Sequence, residues 1–91
     1  MEDRVKEVLI QNMTDNLPTL RRRLGVSQEK LAEMLGVGRS TITNIENHKR
    51  IMQWSTFLSL VLIFIKNKET DKLLSAMEIY TDDLNEYIKL E

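Results

Sequence analysis

Hydrophobic residues recur along this chain at the three- and four-residue steps of helices. Val5, Val8 and Leu9 predict a short amphipathic helix over residues 3–12, with 12–16 as a break. Asn16 can cap the next run, and Pro18 fits its first turn, where no internal N–H bond is lost. Leu17, Leu20 and Leu24 line one side of that run, and Gly25 ends it in the usual C-terminal way. Ser27 is a good N-cap for a helix over 28–35 whose inner face carries Leu31, Ala32 and Leu35. Gly36 ends that helix, Val37 and Gly38 connect, and a third helix is expected over 39–47 with Ile42 and Ile45 inward.

The polar, basic stretch 48–53 reads as a loop. A fourth helix starts at Trp54 or Ser55 and reaches about Lys66. Its residues Phe57, Leu58 and Leu60 to Ile65 circle the whole helix, and a helix that is apolar all round is expected to be buried all round. Residues 67–70 break the pattern. Thr70 can cap a fifth helix from Asp71 onward, and residues 81–83 can break it and recap a last one. Leu73, Met77, Tyr80, Leu84 and Tyr87 follow at alternating four- and three-residue steps, as along a coiled-coil seam.

Three Gly and one Pro leave little room for the turns of an all-β fold, so the composition also favours helices. A chain of 91 residues suffices for one domain, and domains this small often gain stability by oligomerising. The absence of Cys removes disulfides and thiolate metal sites. Residues 1–10 carry charges of both signs and no apolar signal core. The longest apolar stretch, 58–65, interrupted by Ser59, is far shorter than the roughly 20 residues a membrane span requires. The expected protein is therefore soluble, cytoplasmic and without membrane contact.

The net charge of -1 hides an asymmetry. Residues 14–50 hold seven Lys or Arg against four Asp or Glu, whereas residues 51–91 hold four against seven. A basic middle suggests one face for a polyanion. The junction at residues 36–38 is more specific. Two short helices separated by three residues with a glycine between them make a helix-turn-helix. Ala32 must be small because the third helix crosses close to it, and Gly36 can take positive φ without a Cβ penalty. Leu31, Leu35, Val37, Ile42 and Ile45 fill the wedge and push the third helix outward, where it can enter a major groove about 12 Å wide.

The stretch LRRRLGVSQEKLAEMLGVGRSTITNIENHKR resembles the lambda-repressor-like, or Xre/Cro, family of DNA-binding domains. The matching pieces are Leu20–Arg21, Gly25-Val26-Ser27-Gln28, Leu31-Ala32, Leu35-Gly36-Val37, and Ile42 with Ile45-Glu46-Asn47, within residues 16–62. The resemblance implies that Gln28 contacts a phosphate and braces the third helix. Arg39, Ser40, Thr43 and Asn44 would face the groove, with Arg39 suited to a guanine edge and Asn44 to an adenine. Asn47, Lys49 and Arg50 would hold the DNA backbone, which positions without reading sequence. Arg21 and Glu46 would form a partly buried structural ion pair. Helical geometry agrees: positions 39, 40, 43, 44 and 47 share one side of a helix and 42 and 45 lie opposite. Gly38 stands where the family often has a Ser or Thr cap, and His48 where Gly is common.

The fold expected is therefore all-α: a five-helix lambda-repressor-like bundle with additional N- and C-terminal helices. It forms one domain over residues 1–91, with a helix-turn-helix core at about 16–66 and a C-terminal helical extension over 70–91. The function expected is sequence-specific regulation of transcription, most often repression, on double-stranded DNA. The seam residues either pack on the fourth helix or, with Phe57, Val61 and Phe64, form a homodimer interface, and both roles can hold at once. Two rivals remain: an antitoxin whose apolar C-terminal helices hold a toxin, and a helix-turn-helix used only for protein contact. No cofactor or metal is implied, and an enzyme is the least expected class. Ser27-x-x-Lys30 formally matches a serine-nucleophile pattern, but its partner motifs are absent and Ser27 is explained as a cap. Asn12-Met13-Thr14 matches a glycosylation sequon that means nothing in the cytoplasm.

Overall fold

Leu9, Met13, Leu17 and Leu20 stand at steps of four, four and three residues, and each is at most 2% exposed. That uninterrupted stripe produces one long helix where the sequence pattern suggested two. In the computed structural model, which describes residues 1–89, α1 runs from Asp3 to Leu24 without the expected break at 12–16. Asn16 caps nothing, because its Nδ2 donates back to the Asn12 carbonyl at 2.8 Å. The Thr14 hydroxyl likewise donates to the Ile10 carbonyl at 2.8 Å. Pro18 lies inside the helix, where a proline costs about 3 kcal/mol. Burial of Leu17 and Leu20 on either side, about 1.5–3 kcal/mol each, offsets it.

The remaining helices among the described residues are α2 (Gln28–Leu35), α3 (Arg39–Glu46), α4 (Trp54–Ile65), α5 (Lys68–Leu74) and α6 (Asp82–Ile88), and no strand accompanies them. The chain is thus an all-α bundle of six helices among the described residues, with the extra N-terminal segment merged into α1. One core cluster draws on α1 (Leu9, Met13), α2 (Leu31), α3 (Ile42, Ile45), α4 (Phe57, Phe64), α5 (Leu74) and α6 (Leu84). The C-terminal extension therefore shares the core of the helix-turn-helix.

Three expectations for the C-terminal half change. First, α4 is not buried all round. Phe57, Leu60, Val61 and Phe64 are inside, but Leu62 is 62% exposed. The other helices cover one side of α4 and leave the second at the surface. Second, α5 begins three residues earlier than expected. Asn67 is its cap, with its side chain accepting from the Glu69 N–H at 2.8 Å. Thr70 instead is fully buried, and its hydroxyl donates to the Phe64 carbonyl at 2.6 Å, beside the Asn67 N–H that reaches the same carbonyl at 3.4 Å at the end of α4. Third, the seam is interrupted. α5 stops at Leu74, and the chain turns through Glu78 at φ 56° before Thr81 caps α6 by accepting from the Leu84 N–H. Asn12 Nδ2 donates to the Glu78 carbonyl at 3.0 Å and ties this turn to α1.

Where α6 returns, Trp54 stacks on Phe57 with ring centres 4.8 Å apart and meets Tyr87 edge-on at 5.6 Å. Trp54 Nε1–H donates to the Tyr87 hydroxyl at 3.3 Å, and Lys6 Nζ lies 5.2 Å from the Trp54 ring centre.

Candidate nucleic-acid interface

The turn between α2 and α3 follows from three residues. Ser27 Oγ accepts from the Lys30 N–H at 3.0 Å and starts α2. Ala32, 2% exposed, leaves room for α3 to cross. Gly36, at φ 73°, reverses the chain, so that its N–H reaches the Glu33 carbonyl at 3.2 Å and the Val37 N–H the Ala32 carbonyl at 3.0 Å. Ile42 and Ile45 point into the core, as expected, and Gly38 precedes α3 without a side-chain cap.

A polar network then fixes the angle between α1, α2 and α3. Arg21 donates to Glu46 from Nε at 2.8 Å and from Nη2 at 3.2 Å, and its Nη1 donates to the Val26 carbonyl at 3.1 Å. Gln28 Nε2 donates to the same carboxylate at 3.0 Å, and Gln28 Oε1 accepts from the Thr43 hydroxyl at 2.9 Å. The Arg21 and Glu46 side chains are 14% and 5% exposed, so this bidentate pair is shielded from water and from salt. The four side chains form one chain of hydrogen bonds across the three helices.

On the outer side of α3, Arg39 and Ser40 are exposed and Thr43 and Asn44 are half-buried. Asn47, Lys49 and Arg50 are exposed on the turn that follows. That turn closes as a glycine would close it: His48 sits at φ 60°, its N–H bonds to the Ile45 carbonyl and the Lys49 N–H to the Asn44 carbonyl. The substitution of His for Gly thus leaves the termination intact. Arg39, Ser40, Thr43, Asn44 and Asn47 share one polar face, with two cations directly beyond its end. Gln28 braces the third helix as the resemblance implied, and its partners there, the Glu46 carboxylate and the Thr43 hydroxyl, were not expected from the sequence. Sequence reasoning also missed Thr41, whose hydroxyl accepts from Arg50 Nη1 at 3.4 Å and brings that guanidinium alongside α3. The exposed residues Arg22 and Arg23 continue the basic character at the end of α1.

The side chains considered for pairing two subunits lie elsewhere. Phe57, Val61, Phe64 and Leu84 are buried within the single chain. Leu73, Met77 and Tyr80 are half-buried against the same core, and Tyr87 is 39% exposed. What α4 leaves at the surface is a different set, led by Leu62. No helix among the described residues is long and apolar enough to cross a membrane.

A family model described as a helix-turn-helix domain matches residues 15–91, most of the chain. No curated protein and no solved structure matches significantly.

Proposed function

The chain belongs to the helix-turn-helix domain family, and we propose that it is a sequence-specific DNA-binding transcriptional regulator, a repressor, that works in the cytoplasm as a homodimer. The family points to DNA-binding regulation and is typically non-enzymatic. The observation that carries the finer reading is the outward face of α3. It is polar throughout, it holds one Arg and two Asn side chains counting Asn47, and a buried network on its inner side fixes its angle.

In this reading α3 lies in the major groove. Arg39 reads a guanine through O6 and N7, and Asn44 reads an adenine through N6 and N7. Ser40 and Thr43 support these contacts. Asn47, Lys49 and Arg50 grip phosphates, and Gln28 offers the N–H that Glu46 leaves free to a phosphate at the start of α2. Arg21 and Glu46 touch no base. They hold the reading helix in position, so the entropy of orienting it is settled before DNA arrives. Two copies present two such helices about 34 Å apart, matching half-sites one helical turn apart. A repressor needs no more than this: occupancy of the site excludes other proteins from it.

Selection from random duplex DNA, followed by titration of the winner at several salt concentrations, tests the reading. The expected outcome is an enriched motif with two related half-sites and an affinity that falls steeply with salt. Binding that stays weak and indifferent to sequence refutes it and returns the two rival uses of the fold, toxin capture and protein contact alone.

A further inference from the structure

Ile51 is the most exposed large apolar side chain among the described residues, at 85%. It is not a loose end. On one side Met52, 1% exposed, is anchored in the core. On the other, the Lys49 N–H donates to the Asn44 carbonyl at 2.8 Å, and Arg50 Nη1 donates to the Thr41 hydroxyl at 3.4 Å. The chain therefore holds a branched apolar side chain out in water, directly after the two cations that follow α3. A β-branched side chain is stiff at χ1, so little rotamer freedom remains to be lost when something covers it.

The helical repeat of α3 decides what can cover it. Thr43 and Thr41 stand about 200° apart round that helix. Thr43 bonds to Gln28 at the start of α2, and Thr41 holds Arg50. Gln28 and Arg50 thus flank the reading face from opposite sides. With α3 in a major groove, Gln28 meets the phosphates of one strand and Arg50 those of the other. Crossing that second backbone leads into the minor groove, and Ile51 is the next residue of the chain. We propose that Ile51 enters this flanking minor groove and selects A·T over G·C pairs there. Its choice of groove rests on the DNA-binding reading of α3. The selection works by exclusion. In the minor groove A·T and T·A pairs show only acceptors, whereas a G·C pair adds the guanine N2 amino donor. Isoleucine cannot accept a hydrogen bond, so over G·C it buries one more unpaired polar group than over A·T. Isoleucine is also among the apolar side chains that proteins insert at base steps from the minor groove. Arg39 and Asn44 read base edges in the major groove, and Ile51 extends the reading beyond the segment that α3 covers.

Titration of the full chain on duplexes that share the selected core and differ only in the flanking pairs tests the contact. The flanks carry A·T, G·C or inosine·C pairs, since inosine lacks the N2 amino group but keeps the major-groove edge of guanine. The wild type should bind the A·T and inosine·C flanks about tenfold more tightly than the G·C flank. Ile51→Ala should lower the first two affinities to the G·C level. It should keep the wild-type dependence on salt, because an apolar contact releases no counterion. Ile51→Thr keeps the branch and offers an oxygen acceptor, so it should bind the G·C flank at least as well as the A·T flank. Circular dichroism and sedimentation velocity of both variants should match the wild type, which separates the contact from folding and from pairing of copies. Equal binding of G·C and inosine·C flanks by the wild type, an A·T preference that survives either substitution, or a variant that binds poorly because its copies no longer pair overturns the proposal. A chain that still reads the core but ignores the flanks loses only this contact and keeps the regulator reading, whereas a chain that binds no duplex loses both.

Discussion

Removing the Glu46 carboxylate tests whether the buried network, rather than the apolar wedge alone, sets the pose of α3. Glu46→Ala deletes three hydrogen bonds at once: two from Arg21, at 2.8 and 3.2 Å, and one from Gln28 at 3.0 Å. Breaking a buried ion pair from one side costs about 3–5 kcal/mol, because the surviving charge is left uncompensated. Arg21 is 14% exposed and keeps its bond to the Val26 carbonyl, so water and backbone recover part of the loss. The expected cost is therefore at the low end, about 3 kcal/mol. In a domain of this size that lowers the thermal midpoint by about 12–24 °C. Urea titration followed by circular dichroism should report the same loss with an unchanged slope. The double variant Arg21→Met with Glu46→Leu removes both charges, so it should cost much less than the two single changes added together. A Glu46→Ala cost under about 1 kcal/mol, or strict additivity in the cycle, would show that the pair is a surface decoration and refute the reasoning.

Arg39→Ala and Asn44→Ala should each relax specificity at one base position by about 1–3 kcal/mol, whereas Lys49→Ala should weaken all sequences alike and reduce the salt slope by about 1; competition titrations with single-base variants at several salt concentrations separate the two behaviours. Gly36→Ala should cost about 1–2 kcal/mol through backbone strain alone, since φ is 73° but a Cβ there meets nothing within 4 Å; denaturant titration reads it, and a neutral result would contradict the turn described. Thr70→Val should cost about 1–2 kcal/mol, because the Phe64 carbonyl loses its 2.6 Å donor; a stabilised variant would show that the buried hydroxyl contributes nothing.

The helix-turn-helix was legible in the sequence because its requirements are local. A small residue at 32, a left-handed turn at 36 and an apolar wedge at fixed spacing all lie within some twenty residues of chain. Its neighbours were less legible for stated reasons. Asn16 and Pro18 are honest local signals of a helix start, and only the stripe running from Leu9 to Leu20 overrides them. Asn67 and Thr70 are both good caps, and the choice between them is made by the Phe64 carbonyl, which no spacing reveals. The seam from Leu73 to Tyr87 has an unbroken period in the sequence, yet the left-handed turn at Glu78 divides it. At the candidate interface, the outward and inward positions of α3 were readable from the helical repeat. The engagement of Gln28 with Glu46 and Thr43 joins residues far apart in the chain, so it emerges only when α1, α2 and α3 are assembled.

Trp54 is the sole tryptophan of the chain, and its ring is enclosed by Phe57 from α4, Tyr87 from α6 and Lys6 from α1. α6 has seven residues, too few to persist as a helix on its own in water. Its order depends on docking, and the docking is felt by a fluorophore. Undocking of the last helix would strip Tyr87 from the half-buried indole and raise its exposure to water, while the far-ultraviolet signal of the other helices would be nearly unaffected. This makes the chain its own optical gauge of closure between its first and last helices, with no label attached.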